Sequence, residues 1–337
     1  MKIKINQVQN LLIKAAKKFV SNKEALYFAK EQIDTHLKKY PRTNPLEEAI
    51  GDLESWEKNL KNKMEIQVDK KASLLLNFNK LGPSLKLEYI HDELEIRAKK
   101  YGISMLGINN SAGIHTLNLW TDGLGKRDLI SLCFFNGGPD GVIPYKGTKG
   151  IFGTNPLSYA IPTTDKPIIV DMATSNIPYF EIRNAKAKNK KLEKGVAVDS
   201  NGRITTDPKK ALADNGISNL IPLGGGYKGY ALVLLIEILT GSLVRSFLSS
   251  EMTPGYVNEE HGGLILAIDI RSFTDLKKFK QSVSKMAEVI RSQKPAPGIK
   301  RITLPGDRNY EKLKKALKKG EIKLDKKVIE RLENLSK

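Results

Sequence analysis

The stretch "IPLGGGYKGYALVLLIEILTG" (221–241) joins a glycine-rich turn to a long apolar segment. Gly224, Gly225 and Gly226 come first, Lys228 follows, and the remainder has the composition of a buried helix. Glycine lets backbone N–H groups approach a ligand closely, and the N-terminus of a helix carries partial positive charge. The stretch therefore predicts a helix whose first turn either binds an anion or closes a tight turn against the core.

This turn matches neither of two common phosphate-binding motifs. A Walker A loop ends in Gly-Lys-Ser/Thr, whereas Lys228 lies between Tyr227 and Gly229. A dinucleotide fingerprint needs Gly-x-Gly-x-x-Gly at the start of the helix and an acidic residue about twenty positions later.

The apolar run includes Glu237 and is too short to span a bilayer. The helix is expected to pack through residues spaced i, i+3, i+4 and i+7, namely Leu232, Leu235, Ile236 and Leu239.

The composition is that of a soluble globular protein with ample core, because 40% of the 337 residues are hydrophobic and 28% are charged. The N-terminus lacks the apolar segment of a secretory signal, so we expect a cytoplasmic protein with no membrane partner. Cys133 is the single cysteine, which excludes an intrachain disulfide and a cysteine-cluster metal site. The sequence predicts no metal site.

The net charge of +19 raises the question of a nucleic-acid partner. The lysines are spread over many helical segments, such as 311–327, where they fill the polar face. No RNA- or DNA-binding motif interleaves them with aromatic residues. A solvated, lysine-rich surface therefore explains the charge, and no nucleic-acid partner is expected.

Helices are predicted at both ends of the chain. Residues 1–60 have helical periodicity, and Ser21 with Glu24 forms a capping box at the start of one helix. Residues 84–100 predict another helix, which Gly102 ends. The C-terminal segment after residue 275 also has the periodicity of helices.

The middle of the chain is mostly β. Short β-like runs separated by Gly, Pro and Asn occupy residues 103–175, and 262–270 adds one more strand. Helices, then strands, then helices indicate an α+β fold rather than regular βαβ repeats of the Rossmann type. We expect a mixed-sheet domain (76–271) with helical terminal segments (1–75 and 272–337) that pack together on it.

Five motifs then occur in a fixed order: "GTNPLSYAIP" (153–162), "VDMATS" (170–175), "TTDP" (205–208), the stretch 224–241 and "LPGD" (304–307). This series resembles the malate/L-lactate dehydrogenase family, which includes ureidoglycolate and sulfolactate dehydrogenases and cyclic-imine reductases. The resemblance implies an NAD(P)-dependent oxidoreductase for 2-hydroxy or 2-oxo acids or related imines. It also implies a homodimer with a non-Rossmann cofactor-binding domain and a substrate site beside the subunit interface.

The resemblance makes the predicted anion a phosphate of the cofactor, either NAD or NADP. On the family's pattern six residues contact the dinucleotide, namely Asp171, Met172, Ala173, Lys228, Gly306 and Asp307. A lysine is a compact cation that suits a pyrophosphate. Asp171 follows an apolar strand, where its carboxylate either accepts from ribose hydroxyls or caps a turn. Asn155 is expected to be a structural turn residue.

The first substrate-site motif departs from the family's pattern. The family's proton donor is the histidine of Asn-Ser-x-His-Phe-Gly, but the matching position here is Gly113, and His115 falls where the glycine is expected. Two residues along a strand keep a side chain on the same face, about 6–7 Å further on. His115 is therefore a candidate catalytic residue or else a bystander.

The second substrate-site motif, Asp-Ser-His-Gly-Val-x-Arg, survives as Asp34, Thr35 and His36. Lys39, or else Arg42, is expected to hold the substrate carboxylate in place of the family's arginine. His36 is either a catalytic proton carrier or a buried structural histidine. The other two histidines, His91 and His261, are expected at the surface.

The expected reaction is hydride transfer between the nicotinamide and C2 of a small 2-hydroxy or 2-oxo carboxylate, or a cyclic imine. His36 or His115 would exchange the proton, since imidazole titrates near neutral pH. The alternative is a catalytically degenerate family member that acts as a nucleotide-binding or interaction protein, because the cofactor motifs are intact and the substrate motifs are eroded.

Overall fold

A seven-stranded mixed sheet forms the centre of the computed structural model, which describes residues 1–38, 44–114, 116–139, 141–253 and 260–337. The strands are β1 (Lys2–Lys4), β2 (Glu65–Lys70), β3 (Ser73–Asn77), β4 (Ile103–Ser111), β5 (Leu129–Phe135), β6 (Leu157–Ile161), β7 (Ile168–Met172), β8 (His261–Asp269) and β9 (Glu321–Lys323). The sheet order is β2-β3-β4-β8-β5-β6-β7, and only the β3–β4 pair is parallel. The mixed sheet agrees with the predicted α+β class, and β7 lies at its edge.

The helices cover both ends of the chain and the connections between strands. They are α1 (Ile5–Ala16), α2 (Asn22–Leu37), α3 (Pro45–Lys58), α4 (Leu87–Tyr101), α5 (Asn118–Lys126), α6 (Tyr179–Ala187), α7 (Pro208–Ala211), α8 (Tyr227–Thr240), α9 (Leu276–Ser292), α10 (Asp307–Lys319) and α11 (Lys326–Leu335). The capping box at the start of α2 is confirmed, because Ser21 N donates to Glu24 Oε2 at 3.0 Å and Glu24 N donates to Ser21 Oγ at 3.3 Å. Within the part of the chain that the structure describes, no helix has the length and apolar character needed to cross a membrane.

The two ends of the chain share one hydrophobic core. Leu12, Phe28 and Ile50 from α1–α3 pack in the same cluster as Val328 and Leu332 of α11. Strands β1 and β9 join these ends as an antiparallel pair. A long-range pair of this kind fixes both termini against one another, because it satisfies backbone groups from opposite ends of the sequence.

The segment 1–75 is not helical throughout as expected, because its last part, residues 65–75, forms β2 and the beginning of β3 in the central sheet. Alternation of apolar and polar residues is weak in this hairpin, since Leu74, Leu75 and Leu76 are all buried. A continuous apolar run does not distinguish a buried strand from a helix by its periodicity. The boundaries of the domains at 75/76 and 271/272 stay a prediction.

Helix α8 packs differently from the predicted stripe. Its buried residues are Gly229, Val233, Ile236, Glu237 and Thr240, and Leu235 is 50% exposed. The helix is apolar on nearly every side, so the sequence contains no polar face from which the buried side can be deduced. Glu237 is buried inside because Asn155 Nδ2 and Ser249 Oγ both donate to its Oε2, at 2.7 and 3.0 Å.

Candidate active site

Strand β7 brings together the motif that contains Asp171 and the motif that contains Gly306. Gly306 precedes α10 and has a φ of 89°, in the left-handed region that favours glycine. A Cβ at this position would lie 3.3 Å from the backbone N of Ile169 in β7 and 3.4 Å from its O. Gly306 therefore lies against the backbone of the strand whose other end carries Asp171.

The loop that follows β7 holds the glycine-rich turn. Leu223 N donates to Thr174 O at 2.8 Å, and Gly224 N donates to Asn176 Oδ1 at 2.8 Å. Lys228, the second residue of α8, is exposed and forms no ion pair with any residue that the structure describes. The exposed cation thus lies at the start of a helix that is anchored directly to the loop after β7.

The glycines of this turn have specific backbone and packing roles. Gly224 and Gly225 adopt φ values of 72° and 71°. A Cβ on Gly229 would lie 2.0 Å from Leu223 O, so only glycine fits where α8 crosses the turn. Gly226 provides no side-chain cap for the first turn of α8, which leaves backbone N–H groups available to an anion. The tight-turn interpretation is confirmed, and the turn is also compatible with anion binding.

Asp171 connects β7 to the start of α5. Its Oδ2 accepts hydrogen bonds from Asn118 N at 2.9 Å and from Asn118 Nδ2 at 2.8 Å. Burial of the carboxyl raises its pKa to about 6, the Asn118 hydrogen bonds oppose this rise, and the negative charge of Glu48 adds to it. Asp171 therefore caps a neighbouring helix, the simpler of the two roles that the sequence suggested. Met172 is 37% exposed and Ala173 is half-buried at the same end of β7.

Glu48 approaches the same helix terminus from α3. Its Oε2 accepts from Thr116 N at 3.1 Å and from Thr116 Oγ1 at 2.6 Å. Gly113, where the family's pattern places the proton donor, lies three residues before Thr116 and has a φ of 120°. Sequence reasoning missed Glu48, Thr116 and Asn118. The only local signal was an acidic residue in the first turn of α3, which is also the usual composition of a helix start.

Asp307 belongs to an ion-pair cluster beside β7. Its carboxylate accepts from Arg291 Nη2 at 2.8 Å and from Leu304 N at 2.9 Å, and Lys166 Nζ lies 3.6 Å away. Partial burial favours the neutral acid, but the hydrogen bonds from Arg291 and Leu304 outweigh it and lower the pKa of Asp307. Asp307, Arg291 and Lys166 line a cavity of ≈ 120 Å³ together with Ser284.

His36 lies apart from the cofactor motifs. It is half-buried near the end of α2 and lines a cavity of ≈ 390 Å³. The cavity is otherwise formed by Leu37, by Lys2 and residues of β9, and by the face of α10 that carries Lys312, Lys315 and Lys319. Neither Asp171 nor Lys228 lines it. The catalytic role of His36 stays a prediction.

The other substrate-site candidates, His115 and Lys39 together with Arg42, lie outside the described residues. The neighbouring Lys38 is buried, and its ammonium forms an ion pair with Asp122 and lies 5.2 Å from the centre of the Tyr310 ring. The Lys38 ammonium is therefore already paired in the protein interior, and Lys38 does not replace Lys39 as the residue expected to bind the substrate carboxylate.

The expectation of a surface position is wrong for His91, which is fully buried. Its Nδ1 lies 2.8 Å from Tyr27 Oη and its Nε2 lies 2.9 Å from Trp120 O. Burial, together with the nearby Arg127 charge, lowers the pKa of His91 to about 4. The acidic residues that follow it suggested exposure, but they lie on another side of the same helix. His261 is half-buried, with its ring 5.2 Å from that of Phe135.

Asn155 is confirmed as a structural turn residue. It is buried with a φ of 34°, and its Oδ1 accepts from Gly137 N at 3.1 Å. Its Nδ2 donates to Glu237 Oε2 and to Val233 O. All of its side-chain hydrogen bonds therefore serve to connect α8 with the loops around it.

Comparison with known proteins places these features in one family. A profile of malate/L-lactate dehydrogenases matches residues 8–333. The chain is 35% identical over 278 residues to malate/(S)-sulfolactate dehydrogenase of Methanothermus fervidus, with 81% of this chain and 78% of that protein covered. It is 32% identical to a Delta(1)-pyrroline-2-carboxylate/Delta(1)-piperideine-2-carboxylate reductase of Pseudomonas putida, over 67% of this chain and 64% of that protein. The solved structure of sulfolactate dehydrogenase from Methanocaldococcus jannaschii superposes with a TM-score of 0.83 at 26% identity, covering 99% of this chain and 96% of that one. The range matched by the family profile includes every motif gathered around β7.

Proposed function

This chain belongs to the malate/L-lactate dehydrogenase family and is an oxidoreductase, and we propose that it transfers hydride between NAD(P) and a small carboxylate substrate. The substrate is a 2-hydroxy or 2-oxo acid or a cyclic imine, the classes that the names of its relatives indicate. Those relatives are named as dehydrogenases and a reductase, which gives no support to a catalytically degenerate member. The observation that carries the proposal is the arrangement of the cofactor motifs along β7.

The residues around β7 fit a dinucleotide. Lys228 provides an exposed cation, the start of α8 provides N–H groups, and Gly306 allows close approach to the β7 backbone. A bound nicotinamide supplies or accepts the hydride. The sheet contains one parallel pair and no series of βαβ units, which supports a non-Rossmann mode of binding for either NAD or NADP.

The substrate side rests on the family's pattern. Lys39 or Arg42 is proposed to hold the substrate carboxylate by charge-assisted hydrogen bonds. His36 and His115 are the two imidazole groups that this pattern offers for proton exchange at the substrate oxygen or nitrogen. Positioning the carboxylate determines which atom of the substrate faces the cofactor, and therefore where the hydride is added.

A homodimer is proposed as the functional form. The outer face of α8 and the segment after it expose apolar side chains, at 50% for Leu235, 49% for Ile238, 58% for Leu243 and 45% for Phe247. An apolar patch of this kind, on a helix that is hydrophobic nearly all round, is typical of a surface that another subunit covers. A second copy seated there would pack against α8, the helix that carries Lys228 in its first turn, as a composite active site requires.

The positions of the helical lysines support the proposal that the protein has no nucleic-acid partner. They occupy solvent-facing positions such as Lys314 and Lys318 of α10, which is the pattern of a solvated surface rather than of a nucleic-acid groove. We propose a cytoplasmic enzyme with small-molecule partners.

The decisive experiment is a titration of the purified protein with NADH and NADPH, followed by nicotinamide fluorescence. A screen of 2-oxo acids and cyclic imines with the tighter-binding cofactor then identifies the substrate. We expect micromolar binding of one dinucleotide and turnover of at least one carboxylate. Absence of binding to both dinucleotides would refute the proposal.

A further inference from the structure

We propose that the cavity beside His36 binds a small oligophosphate, an anion with two or more linked phosphate groups. This cavity is called the basic cavity here, because lysines from three separate elements, β1, α10 and β9, line it. They are Lys2, Lys312, Lys315, Lys319 and Lys323. The proposed site is additional to the dinucleotide site, and it holds whether or not the proposed oxidoreductase function does.

The charges that line the basic cavity are almost all positive. Glu321 is the one acidic residue among its lining residues, against five lysines. Within the part of the chain that the structure describes, no ion pair is formed by four of these lysines, namely Lys2, Lys315, Lys319 and Lys323. In the neighbouring α11, by contrast, Lys326 pairs with Glu330 at 3.3 Å. A concave surface lined by one sign of charge concentrates the electric field and attracts ions of the opposite sign.

The fold places like charges next to one another around the basic cavity. The antiparallel register of β1 and β9 sets Lys2 directly opposite Lys323, and like charges at opposite positions of a strand pair are destabilising. Lys315 and Lys319 are four residues apart in α10, where like charges also repel. An anion with several negative charges relieves this repulsion, so its binding should stabilise the folded protein.

The dimensions of the basic cavity suit a small, extended anion. Its volume of ≈ 390 Å³ lies within the range of roughly 300–1,000 Å³ that is usual for small-molecule sites. Leu37 and Ile322, both buried, form part of its wall. Lys312 and Lys319 are seven residues apart, which separates their backbone positions by roughly 10 Å along the axis of α10. A chain of phosphates covers this length better than a single phosphate does.

The type of cation also indicates phosphate. All the strong cations of the basic cavity are lysines, and no arginine is among the described residues that line it. Arginine suits a planar carboxylate because its fork makes two parallel hydrogen bonds, whereas lysine acts as a compact point charge. Several point charges from different directions match the oxygens of linked phosphates. The cofactor motifs lie elsewhere, since neither Lys228 nor Gly306 lines this cavity.

Calorimetric titration of the purified full chain with inorganic tripolyphosphate tests the site and needs no turnover. The salt concentration should be about 0.15 M, where exposed charges more than about 8 Å apart are largely screened. We expect Lys315→Gln combined with Lys319→Gln to raise the Kd for tripolyphosphate at least about tenfold.

The matched control is Lys314→Gln combined with Lys318→Gln. It removes the same two charges from the same helix, at exposed positions that do not line the basic cavity, so the Kd should change by less than about twofold. Equal weakening in the two double variants would show a general effect of surface charge and would overturn the proposal. Absence of tripolyphosphate binding to the wild-type protein at millimolar concentration would also overturn it.

Two further titrations locate the site and identify the source of the phosphates. Lys228→Ala should keep the wild-type Kd for tripolyphosphate, and loss of binding in this variant alone would move the anion to the start of α8 and refute the proposal. Titration with ATP in the absence of magnesium distinguishes the sources, because tighter binding of ATP indicates a nucleotide and tighter binding of tripolyphosphate an inorganic chain. Single-stranded RNA that binds more tightly than either, and that both double variants weaken alike, would contradict the site.

Thermal unfolding provides a readout that is independent of calorimetry. Tripolyphosphate should raise the Tm of the wild-type protein, because a ligand that binds the folded state stabilises it. The rise should be smaller in the variant with both Lys315→Gln and Lys319→Gln, and unchanged in the variant with both Lys314→Gln and Lys318→Gln. An equal rise in all three proteins would overturn the inference.

Discussion

Asp171 Oδ2 lies 2.8 Å from Asn118 Nδ2 and 2.9 Å from Asn118 N, so the carboxylate at the end of β7 also closes the start of α5. Folding raises the pKa of Asp171 to about 6, with burial the main cause. The folded chain therefore holds a proton that the unfolded chain releases between about pH 4 and pH 6. The contribution of Asp171 to stability is complete below this window and is lost as the pH rises through it.

We accordingly expect the free energy of unfolding of Asp171→Asn, minus that of wild type, to be larger at pH 7 than at pH 4.5. The increase in this difference should be on the order of 1–3 kcal/mol, because the variant has no carboxyl that must ionise in the folded protein. Urea unfolding at both pH values measures it. Asp214→Asn, at an exposed position, should show no such gain. An equal response of wild type and Asp171→Asn to pH would contradict the raised pKa.

Lys228→Ala should weaken dinucleotide binding while leaving the fold intact. The side chain is exposed at the start of α8, and one charge-assisted contact to a phosphate is worth roughly 1.5–3 kcal/mol, or about ten- to a hundredfold in Kd. Lys71→Ala is the control, since Lys71 is an exposed residue in the turn between β2 and β3, at the opposite edge of the sheet. Fluorescence titration with NADH and NADPH gives the Kd. An unchanged Kd in folded Lys228→Ala would remove the lysine from the cofactor site.

Gly229→Ala should disturb the start of α8, because its Cβ would lie 2.0 Å from Leu223 O. Backbone cannot give way as a flexible side chain does, so we expect a loss of roughly 1–3 kcal/mol in the free energy of unfolding and weaker cofactor binding. Gly226→Ala serves for comparison, since its φ of −125° suits any residue and its nearest contact is 4.0 Å away. Thermal unfolding of both variants checks the prediction, which fails if Gly229→Ala is as stable as Gly226→Ala.

Leu235→Lys should convert the proposed homodimer to monomers. Leu235 is 50% exposed on the outer face of α8, and burying an unpaired ammonium in a subunit interface is strongly unfavourable. Ile96→Lys, at an apolar position of α4 that is 61% exposed, is the matched control and should remain dimeric. Light scattering at micromolar concentration distinguishes the two states. A wild-type monomer would count against both the dimer and a composite active site.

The sequence by itself determined the elements whose signals are local. The runs that became β4–β8 are bounded by Gly, Pro and Asn, and their burial follows from β-branched and aromatic composition. The capping box of Ser21 and Glu24 and the end of α4 at Gly102 depend on neighbouring residues only. The cofactor motifs could be recognised for the same reason, since each is a short continuous run.

Only the tertiary structure decided which side chains meet. The topology places α3, β7 and the start of α5 together, so Glu48, Thr116, Asn118 and Asp171 form one cluster from three distant parts of the sequence. His91 is buried because α2 and α5 enclose it, which its acidic neighbours in sequence could not reveal. Helix α5 was missed because its residues 118–126 include two glycines, one of which, Gly123, packs against the His91 ring. Turn chemistry and periodicity depend on residues a few positions apart, whereas burial and hydrogen-bond partners depend on elements far apart in sequence that the fold brings into contact.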